Sequence, residues 1–176
     1  AAGLLSGRTG LLVSLEETGY DGDAKSRVSR ALEGWNTAKI RRMGADGAKL
    51  LLYYRHGNDV AARQRDLVRE LAAWCDEQDL AFIVEPVGYA MGDEATNGTY
   101  PQVKPEVVIT TAAELTPLGI DVLKAEFPAD AKTEKNVAVM LDNCRRLDEA
   151  SQSPWIILSG GVDFELFVRQ VEIACK

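Results

Sequence analysis

Apolar residues gather in five short runs, separated by longer stretches in which apolar and charged positions recur at near-helical spacing. The runs cover residues 10–16, 47–54, 80–87, 120–127 and 154–160. Each is of strand length and bounded by turn residues. The intervening stretches predict helices over 25–43, 60–79, 103–118, 133–150 and 163–176. In the second helix Val60, Leu67, Leu71 and Trp74 recur on one face, and Asp59 is placed to cap its start. Thr133 is placed to cap the fourth helix, and Gly119 after Leu118 is a stop signal.

The strand centres fall near Val13, Leu51, Val84, Leu123 and Ile157, at intervals of 38, 33, 39 and 34 residues. Strand–helix alternation at such intervals means repeated βα units on a parallel sheet, an α/β fold. The runs are nearly continuous in hydrophobics, as expected of strands covered on both faces. An open doubly wound sheet and a (β/α)8 TIM barrel both fit that pattern. No Gly-x-Gly-x-x-Gly or P-loop follows the first strand, which weakens the nucleotide-binding version. Chemistry-bearing residues are instead spread over several strands, as in a barrel, whose catalytic groups come from several strand ends. A barrel typically takes roughly 250 residues. The expectation is therefore one partial (β/α) barrel domain over residues 1–176, with about strands three to seven present and strands one, two and eight missing. Such a piece would have two raw sheet edges and an exposed apolar interior, which favours association.

Four of the runs carry residues that a purely structural strand rarely holds. Lys124 interrupts Ile120-Asp121-Val122-Leu123, and lysine is almost never fully buried unless paired. A desolvated amine loses its proton more readily and attacks carbonyls. The competing reading is a lysine that snorkels outward or pairs with Glu126. Lys49 opens Leu50-Leu51-Leu52, Glu85 closes Phe82-Ile83-Val84, and Ser159-Gly160-Gly161 closes Trp155-Ile156-Ile157-Leu158. Alternation puts Lys49, Leu51 and Tyr53 on one face, and likewise Ile83, Glu85 and Val87, and Val122, Lys124 and Glu126. If those faces converge, a second ammonium favours a neutral Lys124, and Glu85 is placed to hold or shuttle a proton. Gly160 and Gly161 allow backbone amides to approach an anion near the next helix N-terminus. Each also has a plain reading: a flanking lysine, a structural ion pair, a simple turn.

These residues bring the chain to a known family. It resembles the class I, Schiff-base-forming tagatose-bisphosphate aldolases, a family that includes sulfofructose-phosphate aldolases. The resemblance is carried by Gly10-Leu11-Leu12 through Glu17-Thr18-Gly19-Tyr20-Asp21, by the segment from Gly44 to Tyr54, and by Glu85-Pro86. It is most specific in the segment from Gly119 to Lys124 with Glu126 and Pro128, and in Leu158-Ser159-Gly160-Gly161-Val162. The resemblance implies that Lys124 is the Schiff-base lysine, Lys49 a second active-site lysine and Glu85 the acid/base. It implies that Ser159, Gly160 and Gly161 belong to a phosphate site. It further implies a phosphorylated ketose substrate, dihydroxyacetone phosphate as one product, no cofactor and no metal, and leaves a homodimer open. The alternatives are a sulfofructose-phosphate substrate, a related lysine-dependent barrel such as deoxyribose-phosphate aldolase, or a barrel remnant that binds a phosphosugar without turnover.

Composition narrows the rest. The chain has 176 residues, 46% hydrophobic and 27% charged, with a formal net charge of −7. That acidity argues against a nucleic-acid partner, and no apolar run approaches the roughly 20 residues of a bilayer span. With no signal-peptide pattern, the expected compartment is the cytoplasm and the Asn97-Gly98-Thr99 sequon reads as chance. Cys75, Cys144 and Cys175 are odd in number and widely spaced, so each reads as a small buried hydrophobe rather than a disulfide or zinc ligand. His56, the only histidine, reads as a solvated loop residue. The stretch 88–102 reads as a long polar loop over the active site. Arg41-Arg42, Arg63-Gln64-Arg65 and Arg145-Arg146 read as solvated helix faces, and Glu16 lines the pocket or pairs structurally.

Overall fold

A computed structural model describes residues 6–176. Five strands, β1 (Leu12–Ser14), β2 (Gly47–Tyr53), β3 (Ala81–Val87), β4 (Val122–Ala125) and β5 (Trp155–Ile157), form one sheet in the order β1-β2-β3-β4-β5. Every pairing is parallel. Each strand thus pairs with its neighbours in the chain, and the strand order never reverses. A doubly wound sheet reverses at a switch point; this winding is that of a barrel wall. The connecting helices are α1 (Thr37–Arg42), α2 (Ala61–Glu77), α3 (Asp93–Asn97), α4 (Tyr100–Leu115), α5 (Val137–Ala150) and α6 (Phe164–Ala174).

The two faces of the sheet differ sharply. Leu50 and Leu52, Phe82 and Val84, and Leu123 and Ala125 are buried in one cluster with Val68 and Leu71 of α2 and Ala112 and Leu115 of α4. The alternate positions, among them Lys49, Ile83, Glu85, Val122 and Lys124, are only half-buried. Coverage on both faces, expected from the unbroken apolar runs, is therefore not found: the helices dry one face and the ionisable residues stand on the other. At the sheet edges, Leu12 of β1 and Ile156 of β5 are 48% and 50% exposed.

Several helix boundaries differ from the sequence pattern. The first helix begins at Thr37 rather than 25, because Asn36 caps it and the preceding residues bond to the end of β1. Glu17 N–H donates to Arg30 O and Leu32 N–H to Leu15 O, both at 2.8 Å. Neither Asp59 nor Thr133 caps a helix. Val60 precedes α2, and the Asn136 side chain accepts from Ala138 N–H at the start of α5. Trp74 is exposed; the buried face of α2 is Ala61, Gln64, Val68, Leu71, Ala72 and Cys75. Gly119 does end its helical segment, at φ +91° after a 3-10 turn. The stretch 88–102 is not one loop: it holds α3 and the first turn of α4, with Pro101 in the first turn, where its missing N–H costs nothing.

Candidate active site

Register brings the ionisable residues together. Ser14 pairs with Lys49, Lys49 with Ile83, Leu51 with Glu85, and Ile83 with Val122. Continued by two residues, the last pairing sets Lys124 beside Glu85. Since side chains alternate, Lys49, Glu85 and Lys124 project from the same face of three adjacent strands.

Their polar atoms form an unbroken chain of contacts. Lys49 Nζ donates to Glu16 Oε1 at 2.6 Å and lies 3.6 Å from Glu85 Oε2. The other oxygen of Glu85 is 3.0 Å from Lys124 Nζ. Side-chain exposure is 13% for Glu85 and 33% for Lys124. Glu16 thus both lines the site and pairs within it, and its Oε2 is buried without a partner among the described residues. Lys124 is not the dry, isolated amine that its apolar run suggested: it is paired, and a third of its side chain is exposed. A carboxylate within hydrogen-bond distance of an amine is placed to exchange a proton with it.

A second pair flanks the first. Glu126, two residues beyond Lys124, accepts from Gly88 N–H at 2.8 Å through one oxygen and meets Lys104 Nζ at 3.1 Å through the other. Lys104, on α4, carries no local sequence signal for such a role. Gly88 is required here by space: a Cβ on it would lie 2.5 Å from Tyr100 Oη and 3.2 Å from Glu126 Oε2.

Ser159, Gly160 and Gly161 are exposed beyond β5, and both glycines have positive φ, +59° and +67°. The N-terminus of α6 is not free to receive an anion as expected. Asp163 caps it by accepting from Leu166 N–H at 2.8 Å, and Val162 N–H donates to Ser159 O. Gly160, but neither Ser159 nor Gly161, lines a cavity of about 150 Å³ together with Lys104, Glu126 and Lys132.

Other expectations are corrected. His56 is half-buried, with Nδ1 buried and unpartnered; burial first, and then Arg55, lower its pKa from 6.5. Gln64 is buried and accepts from Ser29 N–H. Arg65 donates to Tyr54 Oη at 2.8 Å, and Tyr54 in turn donates to Glu114, tying α2 and α4 to the residue that follows β2. Arg146 pairs with Glu106 across α5 and α4. Arg41 and Arg42 are exposed, as expected. Cys75 and Cys144 are buried, whereas Cys175 is exposed. Among the described residues no helix is long and apolar enough to cross a membrane, and no cluster of three or more His, Cys, Asp or Glu is placed to hold a metal ion.

The family model of the DeoC/LacD family aldolases matches residues 2–176. The tagatose 1,6-diphosphate aldolase of Lactococcus lactis subsp. lactis is 30% identical over 97% of this chain and 56% of its own length. Tagatose 1,6-diphosphate aldolase 2 of Enterococcus faecalis is 32% identical over 94% of this chain and 54% of its own. The chain thus spans a little over half the length of these relatives. Among solved structures, a Schiff-base-forming fructose-1,6-bisphosphate aldolase superposes with a TM-score of 0.70 at 20% identity, covering 97% of this chain and 61% of that one. An archaeal fructose-1,6-bisphosphate aldolase, with its catalytic lysine bound to a carbinolamine intermediate, gives 0.70 at 19%, over 99% and 62%. At those identities the likeness concerns the fold.

Proposed function

The chain belongs to the DeoC/LacD aldolase family, and on that premise we propose that it supplies the catalytic wall of a class I aldolase cleaving a phosphorylated ketose, of the tagatose 1,6-bisphosphate type. In this reading its five strands take barrel positions three to seven. The observation that carries the proposal is Glu85 standing between Lys49 and Lys124 on one sheet face.

Lys124 Nζ passes a proton to Glu85 along their 3.0 Å contact and attacks the ketone carbon. Loss of water gives an iminium. A base, Glu85 again once it has released its proton to the departing water, removes the proton from the hydroxyl on the carbon beyond the scissile bond. That bond breaks, the aldehyde leaves, and the electron pair is taken up by the iminium to give an enamine. Protonation at carbon and addition of water then release dihydroxyacetone phosphate and restore the amine. Lys49, held by Glu16, orients substrate oxygens and balances charge on Glu85. The loop of Ser159, Gly160 and Gly161 holds a phosphate, with Gly160 facing the cavity that Lys104 and Lys132 also line. The chemistry asks for neither metal nor cofactor. Because phosphorylated sugars do not cross membranes unaided, this reading goes with a cytoplasmic location.

The test is borohydride reduction in the presence of dihydroxyacetone phosphate, followed by peptide mass spectrometry. An irreversible mass addition at Lys124 is the expected result. No adduct in folded protein overturns the reading and leaves a phosphosugar-binding barrel without turnover.

A further inference from the structure

Arg55 follows β2 at the same end of the sheet as the candidate site, and only 7% of its side chain is exposed. One nitrogen, Nη2, pairs with Glu94 of α3 at 2.6 Å; Nε and Nη1 are buried with no partner among the described residues. The hydroxyls of Tyr89, beyond β3 and near the Arg27 backbone, and Tyr100, at the start of α4, are also buried, and neither makes a hydrogen bond of good geometry among the described residues. Burial raises the pKa of both phenols; at Tyr100 Glu126 adds to the rise and Arg55 opposes it, while at Tyr89 the backbone and charge of Arg27 oppose it ahead of Arg55. Leaving a buried donor unsatisfied costs roughly 1–3 kcal/mol, and more when it is charged. Four such donor atoms, on the segments that follow β2 and β3 and on the first turn of α4, therefore point to an oxygen-rich guest.

A carboxylate already stands there. Glu94 accepts from Arg55 through Oε1 and from Met91 N–H, at 2.9 Å, through Oε2. It rides on a five-residue helix flanked by Gly92 and Gly98, at φ +53° and +64°. A short helix between two glycines is free to swing its carboxylate off the guanidinium.

We propose that Arg55, with the Tyr89 and Tyr100 hydroxyls, forms a second oxyanion site, and that Glu94 occupies it as a resident anion until a phosphate displaces it. The identity of the guest rests on the aldolase reading. A bisphosphorylated ketose needs an anion site at each end. Gly160 beyond β5 and Arg55 beyond β2 are three strand intervals apart, roughly 14 Å at the usual spacing. An extended six-carbon bisphosphate with its contact shells spans a comparable length. A bidentate guanidinium–phosphate contact uses Nη2 with either Nε or Nη1, so it forms only when Glu94 gives up Nη2.

The experiment titrates the full chain with inorganic phosphate and follows the Arg55 Nε–H resonance in 15N-labelled protein. A saturable shift is expected, with affinity about tenfold tighter in Glu94→Gln and several-fold weaker in Tyr89→Phe and Tyr100→Phe. Because Glu94→Gln leaves Arg55 in place, the test survives if substitutions of the arginine fail to fold. Absence of any shift in folded Glu94→Gln overturns the site, and equal affinity in Glu94→Gln and the unaltered chain overturns the role of Glu94. Borohydride trapping at Lys124, run in parallel, separates the two proposals. A responsive Arg55 without a Lys124 adduct leaves the oxyanion site standing and the aldolase reading fallen; an adduct with a silent Arg55 does the reverse.

Discussion

Glu85 Oε1 stands 3.0 Å from Lys124 Nζ, while its second oxygen faces Lys49 at 3.6 Å. The carboxylate is the shorter side chain and the less exposed of the pair. It therefore acts as the fixed point to which the lysines are drawn, and the roles of the three residues separate by substitution. Lys124→Met leaves Glu85 paired with Lys49, so the fold is expected to persist while adduct formation with dihydroxyacetone phosphate vanishes. Glu85→Gln keeps the amine but removes the proton acceptor. It is expected to slow trapping at Lys124 without moving the adduct elsewhere, and to lower cleavage roughly 10²–10⁴-fold, the usual range for losing an acid–base group. Mass spectrometry and a coupled cleavage assay read the two effects apart.

Glu16 and Lys49 make the shortest contact in that chain of charges, 2.6 Å, with both side chains largely buried. Removing one partner of a buried pair is costly because the other charge stays behind. Lys49 retains Glu85 when Glu16 is neutralised, whereas among the described residues Glu16 has no other cation in contact when Lys49 is removed. Lys49→Met is therefore expected to destabilise more than Glu16→Gln, by about 1–3 kcal/mol against less than that. The double variant should recover part of the loss. Denaturant midpoints of the four proteins check the ordering.

Gly88 marks where β3 hands over to the segment bearing Glu94. A methyl there meets Tyr100 Oη at 2.5 Å and Val107 Cγ1 at 3.0 Å. Gly88→Ala is expected to destabilise by about 1–3 kcal/mol through overpacking. Tyr100→Phe removes the closest atom, so Gly88→Ala combined with Tyr100→Phe should lose less than the sum of the single variants. Additive losses would show that the crowding comes from Val107 and Glu126 instead.

What the sequence made legible was whatever is governed by period. Alternation in β2, β3 and β4 put Lys49, Glu85 and Lys124 on one face before any coordinates, because a strand has no other way to direct its side chains. Cap chemistry was less informative. Asp59 and Thr133 look like caps, yet Asn58 closes its own turn onto Val60 N–H, and Asn136 takes the start of α5. Residues 25–36 looked helical, but their backbone groups are claimed by the end of β1, and Trp35 Nε1 donates to Ser14 O. Such long-range claims leave no local trace. Arg55, Tyr89, Tyr100 and Lys104 escaped notice for the same reason: each gains meaning only from elements distant in the chain.

The cysteines divide by environment. Burial pushes the thiol of Cys75 up to about 12, aided by nearby Asp121, and burial alone pushes Cys144 up to about 11. Cys175 is exposed after the last helix. At pH 8 a thiol reagent is expected to modify Cys175 at once, and the other two only on the timescale of local or global opening. Equal rates at all three positions would show that α2 and α5 do not exclude solvent from their inner faces.

His56 gives the fold a defined response to acid. Its imidazole sits half-buried beside Arg55; burial, and secondarily that cation, lower its pKa from 6.5, while Glu114, Glu94 and Glu106 pull weakly the other way. Below pH 6.5 the unfolded chain takes up a proton that the folded chain resists, so protonation there favours unfolding. The stabilisation is complete above that pH and is lost as pH falls toward the lowered value. The denaturant midpoint should therefore drop between pH 7.5 and 5.5, and drop less in His56→Gln. Carboxylates contribute to the same slope in both proteins, so the difference between the two drops isolates the histidine. Identical drops would mean that His56 is solvated in solution and carries no acid sensitivity.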